Sequence, residues 1–373
     1  MISSPPAAPR TVLVVGGSLL GACTAWALRR RGHRVQLLDP GGHGSGSGGG
    51  GSRAALGVLM GQVFHRSSGR GWRLRQRSLT LWQDWIRELE GRGRRVPHRA
   101  GLLLLAADAA EEGRLRGLAL ERQARGFRLE LWEPQRLGDL EPSLPAGARV
   151  GLFSPLDGQL DPAAAISAFL ADGLAAGVEA CADRAVGLEP LTSGGWRVRR
   201  AAGDPLEADW VVVTGGIDAL PLLEPLGFHQ PLEPVLGQAL ELELPTERPV
   251  PDHGPAAAPW PGVVAWRGCN LIPRPDLPGG RRLWLGATLE PGIRPDPAQL
   301  EALRHLHGDA PAWLARARVL RQWQGIRPRP VGRPAPLLEL LAPGLLLATG
   351  HYRNGVLLAP ASAEWVVEQV EQA

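Results

Sequence analysis

The stretch TVLVVGGSLLGACTAWALRRRGHRVQLLD, Thr11 to Asp39, decides the fold, because it reads as strand, tight turn, helix and second strand in one unit. Thr11 to Val15 is an apolar, β-branched run of the kind buried in a parallel sheet. Gly16, Gly17, Ser18 and Gly21 then turn the chain into a helix with Leu20, Ala22, Ala25 and Leu28 on its apolar side. Gly32 suits a left-handed helix C-terminus. Val35 to Leu38 supplies the next strand, which ends in Asp39. Backbone N–H groups at a helix start, helped by the helix dipole, receive a pyrophosphate, and a carboxylate roughly 20 residues further on accepts hydrogen bonds from a ribose. Ser18 holds the place of the middle glycine in that pattern, which strains the close approach of a phosphate. The setting within a strand, helix and strand closed by an acid favours a dinucleotide site over a structural turn. Asp39 would repel a 2′-phosphate and so disfavours NADP.

Composition narrows the function classes. A chain of 373 residues exceeds the size at which one core keeps growing, so two lobes are expected. Hydrophobic residues make up 44% and charged residues 21%, as in an ordinary globular protein. The 41 basic residues are all arginine, against 37 acids, for a net charge of +4. They are dispersed among acids without a basic stripe, so nucleic acid is not an expected partner. The absence of lysine excludes Schiff-base chemistry and a phosphate-binding Walker lysine. Cys23, Cys181 and Cys269 are too few and scattered for a disulfide framework or a metal site, and His305 and His307 point to different sides of a helix. No metal is expected. MISSPPAAPR lacks an apolar core segment, and no apolar run reaches the roughly 18 residues that span a bilayer. A cytoplasmic protein without a membrane span is the expectation; a homo-oligomer is compatible with the sequence but not specified by it.

Gly41 to Gly51 reads as a flexible Gly/Ser connection. SRAALGVLMG, Ser52 to Gly61, suits a loop and helix start against phosphates or a flat ring system, with Ser52, Arg53 and Ala54 as contacts. Trp72 to Leu89 reads as a long amphipathic helix with Leu74, Leu81, Trp85 and Leu89 inward. Ala100 to Ala106 is a strand and Ala109 to Arg125 a helix, and Asp161 with Pro162 marks an N-cap and first helical position. Strands follow over Val178 to Val186, Trp196 to Arg199 and Trp210 to Val213, the last running into Gly215 and Gly216, which serve either backbone approach to a ligand or a plain turn. Phe228 to Leu244 and Val263 to Thr288 read as an antiparallel sheet, and Pro297 to His307 as a helix. Pro360 to Val370 is expected to be helical with Pro360 near its first turn, its dipole facing the loop Gly350 to Val356. The fold class is α/β (α+β overall): a discontinuous Rossmann-like domain of residues 10–90, 146–226 and 318–373, interleaved with a domain of residues 91–145 and 227–317 on a mostly antiparallel sheet.

The combination VVGGSLLG, SRAALGVLMG, NLIPRPDLPGGRRLWLGATLE, WQGIRPRPVGRPAPLL and GHYRNGVLLAP, in that order over nearly the whole chain, resembles the FAD-dependent D-amino-acid oxidase superfamily, most closely its thiamine-pathway glycine oxidase branch. The GxRP arginine followed by GHYRNG is the specific part. The resemblance implies non-covalent FAD and hydride transfer from glycine or another small amino acid. Dioxygen would restore the flavin with release of hydrogen peroxide. It places Arg327 and Arg353 on the substrate carboxylate, with Tyr352 and Asn270 nearby, and Asn270 stands where the family often has a tyrosine. It places Gly16, Gly17, Ser18, Gly21 and Asp39 on the phosphates and ribose, and Ser52, Arg53 and Ala54 on a second FAD segment. Val186 falls at the adenine, Gly215 and Gly325 beside the cofactor, and Gly350, His351, Arg353, Asn354, Gly355, Val356 and Leu357 around the flavin pyrimidine.

The residues themselves agree with this chemistry. Two guanidinium groups can orient a carboxylate, one through a fork of paired N–H bonds, without any side-chain nucleophile. Tyr352 either lines the pocket or packs structurally. The alternatives are a D-amino-acid dehydrogenase, a sarcosine-type oxidase without a C-terminal cysteinyl link, an NAD-dependent dehydrogenase, and a catalytically idle flavin-binding or interaction protein.

Overall fold

Val12 and Val14 face one hydrophobic cluster while Leu13 and Val15 face another, so β1 (Thr11–Val15) is buried on both sides. That is the environment of a central parallel strand. The computed structural model describes residues 8–41, 51–245 and 258–372. Residues 42–50 of the Gly/Ser connection, and residues 246–257, lie outside the described residues.

β1 is followed by α1 (Leu19–Arg30) and β2 (Arg34–Leu38). Around them lies a six-stranded sheet in the spatial order Leu337–Ala342, Leu345–Thr349, Trp210–Val213, β1, β2, Glu179–Cys181. All neighbours are parallel except the Leu337–Ala342 pair, which closes an antiparallel edge. On one face α1, α2 (Gly69–Gly91), the helix Pro162–Ala175 and the C-terminal helix Gly355–Glu371 bury Trp26, Trp82, Trp85 and Phe169 together. A three-stranded sheet covers the other face with Trp196 and Val198.

The second sheet is mostly antiparallel. Its path runs Glu290–Pro291, Leu232–Glu243, Arg282–Gly286, Cys269–Arg274, Val263–Trp266, His98–Ala106, Val150–Leu160, Val58–Leu59. Leu103 and Leu105 enter one cluster and Leu102 and Ala106 another, as a period of two demands. The long strand Arg318–Pro330 pairs with Leu232–Glu243 in antiparallel register, Arg327 opposite Val235. The protein is thus a mixed α/β fold, and β-segments at 58–59, 150–160 and 318–330 hydrogen-bond into the larger sheet rather than the parallel one.

Two local expectations change. The strand expected over Val178 to Val186 is two pieces, Glu179–Cys181 and Ala185–Pro190, because the first extends the parallel sheet and the second joins the three-stranded one. The C-terminal helix begins at Gly355, so Pro360 lies inside it rather than in its first turn. A proline there offers no N–H to the carbonyl of Val356. Trp82 Nε1 of α2 supplies a replacement, with Val356 O at 3.1 Å and Leu357 O at 3.2 Å, while Ala361 N donates to Ser78 Oγ at 3.3 Å. The side chains of α2 therefore satisfy the helix where proline opens it. Replacing Trp82 by Phe keeps an aromatic ring but orphans a buried carbonyl, and should cost about 1–3 kcal/mol. A denaturant midpoint equal to that of the unaltered protein would refute this.

Candidate active site

A cleft of ≈1420 Å³ is lined both by the β1–α1 turn and by the N-terminal end of the C-terminal helix. At the first end Gly16 has φ +107°, a conformation side chains rarely adopt, and its N–H donates to Leu38 O at 2.9 Å. Gly17 N–H donates to Asp39 Oδ2 at 2.5 Å, which ties the turn to the acid at the end of β2. Ser18 sits at the N-cap of α1 with φ −64° and ψ 179°. That is ordinary extended backbone, so serine here needs no strained conformation. The first N–H groups of α1 have no acceptors within the helix and suit an anion at the cleft. Gly21 does not line the cleft. A Cβ there would overlap the Gly16 carbonyl and lie 2.8 Å from Thr214 Oγ1, so its role is to seat α1 against β1.

Ser52, Arg53 and Ala54 line the middle of the cleft together with Gly215 and Gly325. Trp323 Nε1 donates to Ala54 O at 2.9 Å, and a Cβ at Gly325 would meet Ala54 Cβ at 2.5 Å. The missing side chain at 325 lets the 318–330 strand close against that segment. Val186 is outside the lining, with its side chain exposed; Arg184 and Ala185 line the cleft just before it.

Asn270, Arg327, Gly350, His351, Tyr352, Arg353, Asn354, Gly355 and Val356 line the same cleft, while Leu357 turns into the core. Arg327 Nη1 donates to Leu236 O and Thr288 O, both at 3.2 Å. Burial first, and the Arg353 charge second, push its pKa down, whereas Tyr352 and Glu290 oppose the shift. Glu290 is not a free counter-ion: it accepts from Gln238 Nε2 at 3.0 Å, Asp296 N at 2.7 Å and the Thr288 hydroxyl. Arg353 is exposed into the cleft and makes no hydrogen bond or ion pair with a described residue. Two like charges lining one cleft repel each other, a repulsion that an anion bound between them would relieve.

His351 Nε2 meets Ser362 Oγ at 2.8 Å. Burial first, then the Arg70 charge, depress its pKa to about 4, so it is a neutral hydrogen-bonding group in the turn. Burial raises the Cys269 thiol to about 11 against the field of Arg353, which keeps it protonated. Tyr352 has φ +53°, and Arg267 and His307, with φ +45° and +55°, also line the cleft. Left-handed backbone at three non-glycine residues of one cleft is the kind of local strain that gathers at functional sites. Sequence reading singled out neither Arg267 nor Arg75, and it took His307 only as a poor metal ligand. Arg75 had a legible signal: it is a charged residue on the buried face of α2, one turn before Leu79 and two before Trp82. Among the described residues no group of three His, Cys, Asp or Glu could hold a metal ion.

A turn of small residues, an acid bonded to it, and two arginines without an ion pair among the described residues line one cleft, which has the chemistry to take a dinucleotide beside an anion. The FAD dependent oxidoreductase family matches residues 11–369 of the chain. The chain belongs to that family. FAD is therefore its cofactor, and the protein is an FAD-dependent oxidoreductase. It is 28% identical to a glycine oxidase of Geobacillus kaustophilus over 97% of this chain and 93% of that protein. To a glycine oxidase of Bacillus licheniformis it is 25% identical over 96% and 92%. The crystal structure of glycine oxidase from Geobacillus kaustophilus superposes with a TM-score of 0.84 at 27% identity, covering 98% of this chain and 95% of that one. Among the described residues no helix is long and apolar enough to cross a membrane.

Gly237 gives a local test of the anion site. It pairs with Gly325, two residues before Arg327 on the neighbouring strand, and a Cβ there would overlap the Arg327 guanidinium. Because that obstacle is the end of a flexible side chain, Gly237→Ala should move Arg327 with little loss of stability. We expect substrate KM to rise roughly tenfold or more, with FAD content unchanged. An unaltered KM would show that the guanidinium does not need this space.

Proposed function

We propose that the protein oxidises glycine or another small amino acid at its α-carbon. The observation that carries this reading is the convergence of Arg327 and Arg353 on the cleft that also holds Gly16 and Asp39. Arg327, fixed by two backbone carbonyls, would grip the substrate carboxylate through its remaining N–H groups, and Arg353 would add charge from the open side. Asn270 and Tyr352 would line the amino-acid pocket. Gly16, Gly17, Ser18 and Asp39 would hold the pyrophosphate and ribose, with Gly21 acting behind them. Ser52, Arg53, Ala54, Gly215 and Gly325 would flank the cofactor, and the segment 350–356 would surround the flavin pyrimidine. Residues 10–90, 146–226 and 318–373 would form the cofactor-binding unit, and 91–145 and 227–317 the substrate unit.

Bound FAD would supply the hydride acceptor, with dioxygen as the final electron acceptor and hydrogen peroxide as the product. The protein's part is orientation: the carboxylate clamp sets the α-carbon at reacting distance, and no side-chain nucleophile is needed. The imine so formed hydrolyses to a 2-oxo acid and ammonia, or serves thiazole formation, as the resemblance to the thiamine-pathway branch implies. Anaerobic bleaching of the yellow protein by glycine, sarcosine and a panel of D-amino acids, followed by peroxide release in air, tests the assignment. Bleaching without peroxide would point to a dehydrogenase using another acceptor. A flavoprotein indifferent to the whole panel would overturn the proposal.

A further inference from the structure

Arg75 is a cation that the amino-acid clamp does not use. It projects from α2 onto the cleft wall, is 7% exposed, and stacks its guanidinium 3.8 Å from the centroid of Phe64. Its Nη1 donates to Asn354 Oδ1 at 3.0 Å, and its buried Nε has no hydrogen-bond partner. Asn354 is the N-cap of the seventeen-residue C-terminal helix, and Gly355 and Val356 of its first turn also line the cleft. A buried guanidinium with unused donor capacity thus stands beside a helix N-terminus.

The charge is not cancelled locally. Asp157 favours the cationic form through its field, but its carboxylate accepts from Gly61 N and Gln62 N at 2.8 Å and from Val63 N at 3.0 Å. Desolvation dominates and pushes the Arg75 pKa down to about 10, which leaves it charged at neutral pH. Burying such a cation is costly unless an anion or dipole compensates it. Only part of that compensation is visible in the protein.

The cofactor's own polarity indicates what completes it. With the nucleotide half on the β1–α1 turn and Asp39, as proposed above, the ring system falls to the segment 350–356, which lines the same cleft where the C-terminal helix begins. A flavin ring has a polar pyrimidine edge and an apolar dimethylbenzene edge, and donors match the former. A hydride from substrate brings two electrons and one proton, so one unit of negative charge is added, spread over N1 and the C2 carbonyl. We propose that Arg75, acting with the N-terminus of the C-terminal helix, is the cationic seat for this charge and raises the reduction potential of the bound flavin. The inference rests on the flavin placement given under the proposed function. Arg75 is distinct from the substrate arginines, because its hydrogen bond reaches Asn354 rather than the open side of the pocket.

The test compares Arg75→Leu, which removes the charge, with Arg75→Lys, which keeps it, on FAD-loaded protein. The readouts are the flavin midpoint potential and the dissociation constant of sulfite, which adds to oxidised flavin and leaves negative charge on the same pyrimidine edge. R75L should have a lower potential and bind sulfite roughly 10- to 100-fold more weakly, and R75K should recover most of both. A structural role for Arg75 would move the unfolding midpoint and FAD content without moving the potential. Unchanged potential and sulfite affinity in FAD-loaded R75L overturn the inference while leaving the amino-acid oxidase reading intact. If R75L does not fold, the same two measurements on Arg75→Gln decide in the same way. Wild-type protein that binds no FAD overturns both.

Discussion

Arg327→Met is expected to lower kcat/KM for the amino-acid substrate by roughly 100- to 4,000-fold while FAD stays bound. The magnitude follows from where the guanidinium sits. Arg327 is half-buried on a strand paired along one side with Leu232–Glu243, and its Nη1 is already held by Leu236 O and Thr288 O, so the remaining donors are fixed in direction before substrate arrives. A carboxylate that loses a desolvated charge partner forfeits about 3–5 kcal/mol, and each 1.4 kcal/mol is a factor of about ten. Methionine fills much of the same volume, which separates lost charge from lost packing. Arg327→Lys should recover little, because a single ammonium cannot reproduce a planar fork anchored at two carbonyls. The anaerobic rate of flavin bleaching against substrate concentration measures the effect. If holo Arg327→Met bleaches with undiminished kcat/KM, the carboxylate is held elsewhere, and the pairing of Arg327 with Arg353 has no catalytic meaning.

Legibility in the sequence divides along a physical line. The β1–α1–β2 unit could be read because each of its signals is local: an apolar run, glycines at fixed offsets, an acid at the strand end. The Asp161 cap could be read for the same reason, and its side chain accepts from Ala164 N at 2.9 Å. Arg327 and Arg353 were legible only through the resemblance of their short motifs, since 26 residues and a strand reversal separate them and no periodicity links them. Long-range pairing hid the rest. Arg318–Pro330 carries arginines and prolines unlike a core strand, and its identity comes from pairing with Leu232–Glu243. Pro360 looked like a helix start because proline favours the first turn. Trp82 and Ser78, almost 280 residues earlier, supply the hydrogen bonds that let it lie inside. Arg75 escaped notice because a helical wheel shows a charge on the apolar face without showing what it meets, here Asn354 across the same distance in sequence.

Gly21→Ala should damage folding and FAD binding together, and the coupling is the informative part. The added methyl would overlap the Gly16 carbonyl and lie 2.8 Å from Thr214 Oγ1, which itself bonds Val15 O at 2.9 Å and Gly16 O at 2.8 Å. Backbone in the middle of a six-stranded sheet cannot yield as a surface side chain can, so α1 must move away from β1. Overpacking of this kind costs about 1–3 kcal/mol. The same displacement carries the first-turn N–H groups away from the phosphate position, so the variant should also lose the stabilisation that bound cofactor gives the native state, about 2.7 kcal/mol when FAD is at 100 times its dissociation constant. Thermal unfolding with and without added FAD separates the two contributions. The unaltered protein should rise in midpoint with FAD, whereas Gly21→Ala should start lower and rise little. Gly32→Asn is the control, because Gly32 has a positive φ, +90°, that asparagine tolerates, and a Cβ there meets nothing within 4 Å. An FAD-dependent rise in Gly21→Ala as large as in the control would mean that the contact of helix and strand at this glycine does not set the phosphate site.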